Sequence, residues 1–416
     1  MWIGIDDTDS LRGMCTTYLA AVLIRRLIAR GFHLRQARLI RLNPNVPWKT
    51  RGNAAIALEV EGDPEVAFGV ASRCVEEMAD LSADATEPGV AVSETKPPTA
   101  FYEKALRSFC ERGEAVEVLE AAGAMYRGWK GGRGLIGATA AIASTLPDST
   151  WELLVYRRPD VWGGPRAIDR GSFFLADTAT APGTWDTVDR ENDVVVCSPH
   201  TPDPVLFGIR GKSPCSVSLA RTFIRTEPPG VEQIYLTNQG TDCHLVEGAI
   251  GELAEGHSYR VRGIVHGRAV TGRGGHVSLP IGEGELTLRC MAYEPTKGFR
   301  DVVRTLIPGD EVEACGSFKG GSLNLEKLRL IEGTHDLRLI EGTHDLVKRP
   351  PLCSTCGKRM TSAGHLKGYK CRQCGGRAME GEVEILDRGI VAGWYEVPPS
   401  ARRHLAMPLA RGIRHR

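Results

Sequence analysis

The sequence predicts a multidomain α+β chain that ends in a small β-barrel and a zinc ribbon. Three observations carry this. At 416 residues the chain is long enough for two to four domains of ordinary size. Helical and strand patterns mix through its first part, and then five short alternating runs with glycine turns fall within about 80 residues. Beyond them stand four cysteines arranged as two Cys-x-x-Cys pairs. With 42% hydrophobic and 25% charged residues, the composition is that of a globular protein. No apolar run is long enough to span a bilayer. The acids of MWIGIDDTDS stand where a secretory leader carries basic residues, so a cytoplasmic protein is expected.

Residues 2–5 (Trp-Ile-Gly-Ile) read as a buried strand that runs into Asp6-Asp7-Thr8-Asp9. A helix is expected over 16–30, with Leu19, Val22, Leu23, Leu27 and Ile28 on one face and Gly31 as its stop. Leu39–Leu42 and Ala54–Glu61 read as strands around the loop Asn43–Asn53, and Pro64–Ala79 as a helix. Residues 103–121 alternate short helical patterns. The glycine-rich Gly128–Gly137 opens into Leu135–Ala143, a buried helix packed through small residues. Trp151–Arg157, Val194–Cys197 and Val205–Ile209 read as strands of a second α+β unit. The barrel runs are Tyr259–Val265, Gly275–Pro280, Glu285–Tyr293, Asp310–Phe318 and Leu323–Arg329. An OB-fold fits them best, with an SH3-like barrel as the alternative. The nonapeptide LRLIEGTHD occurs twice in tandem, at Leu328–Asp336 and Leu337–Asp345. Only one copy can fill the last barrel strand.

The net charge of +1 hides an asymmetry. Leu346–Arg416 holds 14 Lys and Arg against 5 Asp and Glu, a net +9, which leaves the preceding residues at −8. A basic end on an acidic body suits a polyanion docked at one end, although a solvated surface has the same composition. Eight of the twelve cysteines (Cys15, Cys74, Cys110, Cys197, Cys215, Cys243, Cys290 and Cys315) show no framework spacing and read as reduced thiols.

The other four are Cys353-x-x-Cys356 and Cys371-x-x-Cys374, with Gly357 and Gly375 placed where metal knuckles turn. Four thiolates in this spacing favour a closed structural Zn²⁺ site. Asp6, Asp7 and Asp9, at the end of a strand, suit a hard cation such as Mg²⁺ with phosphate oxygens completing its shell, but equally a turn or helix cap. Cys15-Thr16-Thr17 begins the next helix, and a helix N-terminus favours phosphate, so Thr16 is positioned to contact or accept a phosphoryl group. Lys49, Arg51 and Asn53 can clamp a triphosphate from an otherwise ordinary polar loop. Gly132-x-Gly134-x-x-Gly137 is a weak dinucleotide fingerprint, because no clear strand precedes it. Gly132 and Gly134 remain candidates for a backbone phosphate cradle. In the loop 199–211, Asp203 and Arg210 offer one acid and one base to a polar small molecule. The same loop reads equally as a proline-stiffened connection.

These elements, in this order, resemble the archaeal tRNA(Ile) 2-agmatinylcytidine synthetase family along nearly the whole chain. The resemblance rests on GIDDTDSLRGMCTTY (4–18), RLNPNVPWKTRGNAA (41–55), GGRGLIGA (131–138), PHTPDPVLFGIRG (199–211) and the cysteine ribbon. The tandem LRLIEGTHD departs from the pattern at no catalytic position. The resemblance implies a kinase-like α/β catalytic domain (1–145), a ferredoxin-like domain (146–250), an OB-fold (251–345), a zinc ribbon (346–384) and a basic tail (385–416). It implies an ATP-dependent ligase: ATP phosphorylates the 2-oxo group of the wobble cytidine in the CAU anticodon of isoleucine tRNA, and agmatine displaces the phosphate. On this basis Asp6, Asp7, Asp9 and Thr16 are expected to be catalytic, the aspartates holding Mg²⁺ and Thr16 becoming phosphorylated. Lys49, Arg51, Asn53, Gly132 and Gly134 are expected at the ATP phosphates, and Asp203 and Arg210 at agmatine or the base. Zn²⁺ falls to Cys353, Cys356, Cys371 and Cys374. The expected partners are tRNA and agmatine, with neither DNA nor a membrane, and the oligomeric state stays open. Two other readings remain: a non-catalytic tRNA- or single-strand-binding protein, and a ligase that joins a different amine to the same base.

Overall fold

The structure is a computed structural model that describes residues 1–50, 52–333, 344–364 and 367–412. Its largest element is a nine-stranded sheet. The strands are β1 (Trp2–Asp6), β2 (His33–Arg41), β3 (Ala54–Glu61), β4 (Gly89–Ser93), β5 (Met125–Gly128), β6 (Thr150–Arg157), β7 (Thr184–Trp185), β8 (Val205–Gly211) and β9 (Pro229–Thr237). They lie side by side in the order β5-β4-β1-β3-β2-β9-β6-β8-β7. The pairings are antiparallel except between β2 and β9, where Leu236 and Thr237 run parallel to Arg38 and Leu39. This short parallel seam joins the first α+β unit to the second. The expected boundary near residue 145 therefore lies beside a continuous sheet.

β1 is buried because both of its faces are covered. Ile3 and Ile5 pack under α1 (Thr16–Ile28) and α2 (Pro64–Met78), whereas Trp2 faces α3 (Thr99–Arg107), α4 (Arg112–Ala121) and α5 (Gly134–Ala143). Nine of the ten residues of α5 are buried, so it is a helix without a polar face. Small residues make this possible. A Cβ on Gly4 would overlap the Ala138 carbonyl, one on Gly89 would overlap Leu135 N, and one on Gly134 would overlap both Gly89 N and the Asp6 carbonyl. In the second unit, α6 (Arg170–Thr180) and α7 (Pro214–Phe223) cover the sheet around Phe173 and Phe207.

Five strands then close a small barrel: β10 (Ser258–Val265), β11 (Val277–Glu283), β12 (Leu286–Ala292), β13 (Glu311–Lys319) and β14 (Ser322–Glu332). The pairing circuit runs β10-β11-β12-β14-β13 and back to β10, with β12 and β14 parallel and α8 (Phe299–Thr305) between the third and fourth strands. These are the five alternating runs of the sequence, to within a few residues at each end. The first LRLIEGTHD copy begins in β14, while 334–343 lie outside the described residues.

Two elements depart from expectation. A strand, β5, does precede the Gly132 motif. It is a four-residue edge strand that pairs only with β4 and is exposed at Arg127 and Gly128, so it shows no apolar alternation. Second, the stretch expected as a basic tail is folded as far as Gly412. β15 (Gly393–Glu396) pairs antiparallel with β14, and the chain then returns to the nine-stranded sheet. There Gly240 N donates to the His404 carbonyl (2.8 Å), Asp242 N donates to the Leu405 carbonyl (2.9 Å), and Leu405 is buried against α3 and α5. The barrel is tied to the same place, where Lys327 Nζ bonds Asp242 Oδ2 (2.5 Å) and His244 Nε2 meets Glu326 Oε2 (3.1 Å).

Candidate functional site

The last residue of β1 brings the chain to the top of the sheet. Asp7 takes a left-handed conformation (φ +58°), which an aspartate tolerates, and its N–H bonds back to Asp6 Oδ1 at 2.7 Å. The turn leaves Asp6, Asp7 and Asp9 lining one cleft with Arg133 and Gly137 of the α5 approach and with Leu42, Val46, Trp48, Lys49 and Asn53 of the β2–β3 loop. Arg133 Nη2 pairs with Asp7 Oδ2 at 2.6 Å. Burial pushes the Asp6 carboxyl well up, and the neighbouring Asp7 adds to this. Asp7 is raised to about 6, again first by burial, with the Arg133 guanidinium opposing. Three carboxylates facing one guanidinium therefore lack positive charge.

That deficit is the test for a cation. The donors are all hard carboxylate oxygens, and the groups forced up in pKa are those that a bound divalent ion would return to the charged form. The donor chemistry suits a hard ion such as Mg²⁺, and Asp6, Asp7 and Asp9 are the residues of the cleft that would hold it.

Asp9 also organises the start of α1. Its Oδ1 accepts from Thr16 N and, at 2.8 Å, from Thr16 Oγ1. Thr8 N and Thr8 Oγ1 also approach that hydroxyl, at 3.2 and 3.0 Å. The Thr16 oxygen is thus fixed beside a carboxylate able to take its proton. Asp9 also lines a second cavity together with Thr16, Arg41, Glu152, Asp186, Asp203, Arg210 and His404. The cleft and the cavity meet at Asp9, Gly52 and Ala54.

The residues expected from sequence sort as follows. Asp6, Asp7, Asp9, Lys49 and Asn53 line the first cleft, and Thr16, Asp203 and Arg210 line the second cavity. Arg51 lies outside the described residues. Gly132 and Gly134 line neither. Gly132 (φ +66°) backs on Gly128 Cα, and Gly134 lets α5 touch β1 and β4, so close packing accounts for the glycine motif. Gly137 is the glycine that meets the site, since a Cβ there would overlap the Asp6 carboxylate. Gly137→Ala is expected to lower Tm by roughly 5 °C or more through overpacking, and to abolish activity by displacing Asp6. A thermal melt read beside an activity assay checks this, and unchanged values in both would remove the packing argument.

Asp203 is occupied in bracing its own loop. Its carboxylate accepts from Val205 N (2.9 Å) and Thr201 Oγ1, with Arg166 at 3.8 Å. The acids that sequence reasoning missed are Glu152 on β6 and Asp186 beside β7, both buried in the second cavity. Glu152 Oε1 faces Arg210 Nε at 3.3 Å, and its Oε2 accepts from Gln239 Nε2. Asp186 is pushed up by burial and paired with Arg402. Arg41, lowered by burial to about 10, and His404 complete the lining. Neither acid stands out locally: Glu152 precedes the unbroken apolar run Leu153–Tyr156, and Asp186 lies among Thr184, Thr187 and Asp189.

At the far end of the chain, the four cysteine Sγ atoms lie within 4.8 Å of one another. Each Cys-x-x-Cys pair forms the same knuckle: Gly357 N bonds the Cys353 carbonyl (2.8 Å) and Gly375 N bonds the Cys371 carbonyl (3.0 Å), with both glycines left-handed. Cys353 is held down to about 6, first by the Thr355 N–H and then by that of Cys356. A tetrahedron of thiolates about 2.3 Å from zinc has edges near 3.8 Å, and the Sγ separations of 3.3, 3.5 and 3.7 Å approach it. The donor set fits Zn²⁺.

A carboxylate cluster beside a fixed hydroxyl, on a chain that also carries a small barrel and a four-cysteine ribbon, fits the class of multidomain nucleic-acid-modifying enzymes. Three family profiles match: the TiaS TCKD domain over residues 2–66, the TiaS FLD domain over 132–244 and the TiaS C-terminal zinc ribbon domain over 350–390. The isoleucine-tRNA 2-agmatinylcytidine synthetase TiaS of Methanocorpusculum labreanum is 49% identical over 412 residues, covering 99% of this chain and 97% of that protein. That of Methanosarcina acetivorans is 45% identical with the same coverage. Among solved structures, the complex of TiaS with its isoleucine tRNA and ATP matches with a TM-score of 0.90 at 41% identity. The complex of TiaS with the same tRNA, AMPCPP and agmatine matches with 0.87 at 39%. Each covers 100% of this chain and 98% of the solved one. The chain belongs to the isoleucine-tRNA 2-agmatinylcytidine synthetase (TiaS) family.

Proposed function

We propose that this protein is an ATP-dependent ligase that joins agmatine to carbon 2 of the wobble cytidine in the CAU anticodon of isoleucine tRNA, so that the tRNA reads AUA. The observation that carries the mechanism is the meeting of two cavities at Asp9, whose carboxylate holds Thr16. ATP belongs in the cleft with Asp6, Asp7, Lys49 and Asn53, and the flipped cytidine with the amine in the second cavity. The cytidine oxygen is a poor leaving group until it carries a phosphoryl group. Its phosphorylation from ATP, followed by amine attack at carbon 2, releases it as phosphate. Thr16 Oγ1 accepts a phosphoryl group from ATP, with ADP as the leaving group, and Asp9 takes the hydroxyl proton across the 2.8 Å hydrogen bond. Asp6, Asp7 and Asp9 would hold Mg²⁺, which when bound would supply the positive charge that phosphoryl transfer needs. Buried Glu152 and Asp186 suit a dicationic amine, and Asp203 shapes the loop beside them.

On this reading the first α+β unit is kinase-like and the second ferredoxin-like, and the protein acts in the cytoplasm. The barrel is an OB-fold, which its closed strand order and its helix between the third and fourth strands support. With the basic ribbon it grips the tRNA, and a base in an anticodon loop leaves its stack at small cost. Incubation with ATP, Mg²⁺, labelled agmatine and an unmodified CAU-anticodon isoleucine tRNA transcript tests the function. Label at the wobble cytidine is expected, reduced about 100-fold or more in Thr16→Ala. Equal labelling by both proteins would sink the role of Thr16. Tight tRNA binding with neither label nor ATP turnover would make the chain a binding protein.

A further inference from the structure

The segment that follows β15 crosses the mouth of the second cavity. Arg402 is buried against Asp186 and Glu396, and the His404 main chain is clamped by Gly240. This fixes the His404 ring inside the cavity that holds Asp9 and Thr16, and at the edge of an adjoining recess lined by Lys49, Gly52 and Asn53. Its Nδ1 lies 2.6 Å from Arg210 Nη2. A guanidinium only donates, so Nδ1 is the acceptor and the proton of the neutral ring sits on Nε2. Burial, reinforced by Arg41, Arg210 and Lys49, lowers the ring's basicity far below that of a free histidine, so it stays neutral. Cδ2 and Nε2 lie against Gly52, where any side chain would collide with them. Nε2 has no hydrogen-bond partner among the described residues. Here is a rigid, uncharged N–H donor with its acceptor still to come.

The reaction proposed above, on which this inference rests, limits what that acceptor is. Agmatine offers the cavity N–H donors and one amine lone pair, which is committed to carbon 2, and the facing acids, Glu152 and Asp186, suit the donors. The oxygens belong to the cytidine and to the phosphoryl group it carries. We propose that His404, delivered from beyond the zinc ribbon, is a catalytic residue that donates its Nε2 hydrogen to an oxygen of the phosphorylated cytidine. As the amine nitrogen bonds to carbon 2, the carbon–oxygen bond breaks and phosphate leaves with the electron pair. The donor holds that oxygen as its charge grows. The amine proton goes to the departing phosphate, which leaves as hydrogen phosphate, because Nδ1 is taken by Arg210 and Nε2 already bears hydrogen.

The test compares full-length wild type, His404→Leu and His404→Gln in tRNA agmatinylation, with kcat and the KM for agmatine separated and Tm measured for each. Glutamine can accept from Arg210 and donate into the cavity, whereas leucine fills the space and does neither. Leucine is expected to lower kcat about 100-fold with KM for agmatine within about threefold, and glutamine to restore kcat to within about tenfold of wild type. The kcat profile from about pH 6 to 9 is expected to keep its shape in all three, since the ring does not titrate there. The proposal is overturned if leucine leaves kcat intact, if the loss appears in KM for agmatine, if glutamine is as poor as leucine, or if leucine deletes an ionisation from the profile. A wild-type protein that modifies no tRNA would remove the underlying function, and a failure confined to the variants' pattern removes only the role of His404.

Discussion

Asp9→Asn is expected to lower tRNA agmatinylation about 1,000-fold or more, equivalent to roughly 4 kcal/mol of transition-state stabilisation, with little change in Tm. Asparagine keeps the shape and still offers an oxygen to Thr16 N and Oγ1, so the start of α1 survives. The charge does not survive. Asp9 is the one carboxylate of the three that lines both the first cleft and the Thr16 cavity. On the proposed mechanism its loss removes one of the three charges that would hold a divalent ion, and the group that takes the Thr16 proton. Three readouts check this: label in tRNA, phosphate on Thr16, and Mg²⁺ dependence. Loss of the first two, with a raised Mg²⁺ requirement, is the expected pattern. Near-wild-type labelling would mean that the hydrogen bond to Thr16 only organises the helix.

The second large effect concerns the ribbon. Its buried apolar cluster is Cys353, Met360 and Cys371, far too little core to fold by itself. A structural zinc contributes about 10–16 kcal/mol to such modules, so the metal is the main source of its stability. Elemental analysis of the full chain is expected to find one zinc. Chelation, or Cys356→Ser, is expected to erase hydrogen-exchange protection across 351–378 and leave the nine-stranded sheet protected. With the ribbon's basic residues no longer presented together, tRNA affinity is expected to fall about 10- to 100-fold, with a shallower salt dependence. Unchanged affinity after complete zinc loss would show that the barrel and sheet carry tRNA binding without it.

What could be read from sequence was whatever is written locally. Asp6-Asp7-Thr8-Asp9 and Cys15-Thr16-Thr17 are contiguous, and the structure closes them on each other through one hydrogen bond. The cysteine knuckles and barrel strands repeat short patterns that survive without tertiary information. The second cavity is different. Arg41, Glu152, Asp186, Arg210 and His404 come from five places in the chain, and of these only Arg41 and Arg210 belong to motifs that the sequence marks. Nothing local separates Glu152 from a solvated edge residue until the sheet is assembled. Gly132-x-Gly134-x-x-Gly137 is ambiguous in another way. Gly134 answers a demand for backbone contact between α5 and the strands, and Gly137 one for room beside the Asp6 carboxylate, and sequence cannot distinguish either from a demand for phosphate. Asp203 is drawn into its own turn by Val205 and Thr201, a competition invisible without the loop's path.

The route of residues 397–405 has a consequence for the order in which the protein folds. His404 and Leu405 dock on Gly240 and Asp242, more than 160 residues earlier in the chain. Contacts between residues so far apart in sequence carry an added loop-closure cost and are slow to form. The two α+β units supply the rest of the second cavity's lining, and the last wall waits for this docking. A chain with a native sheet and an undocked strap therefore has an unfinished pocket, and closure of this long loop is the step that completes it.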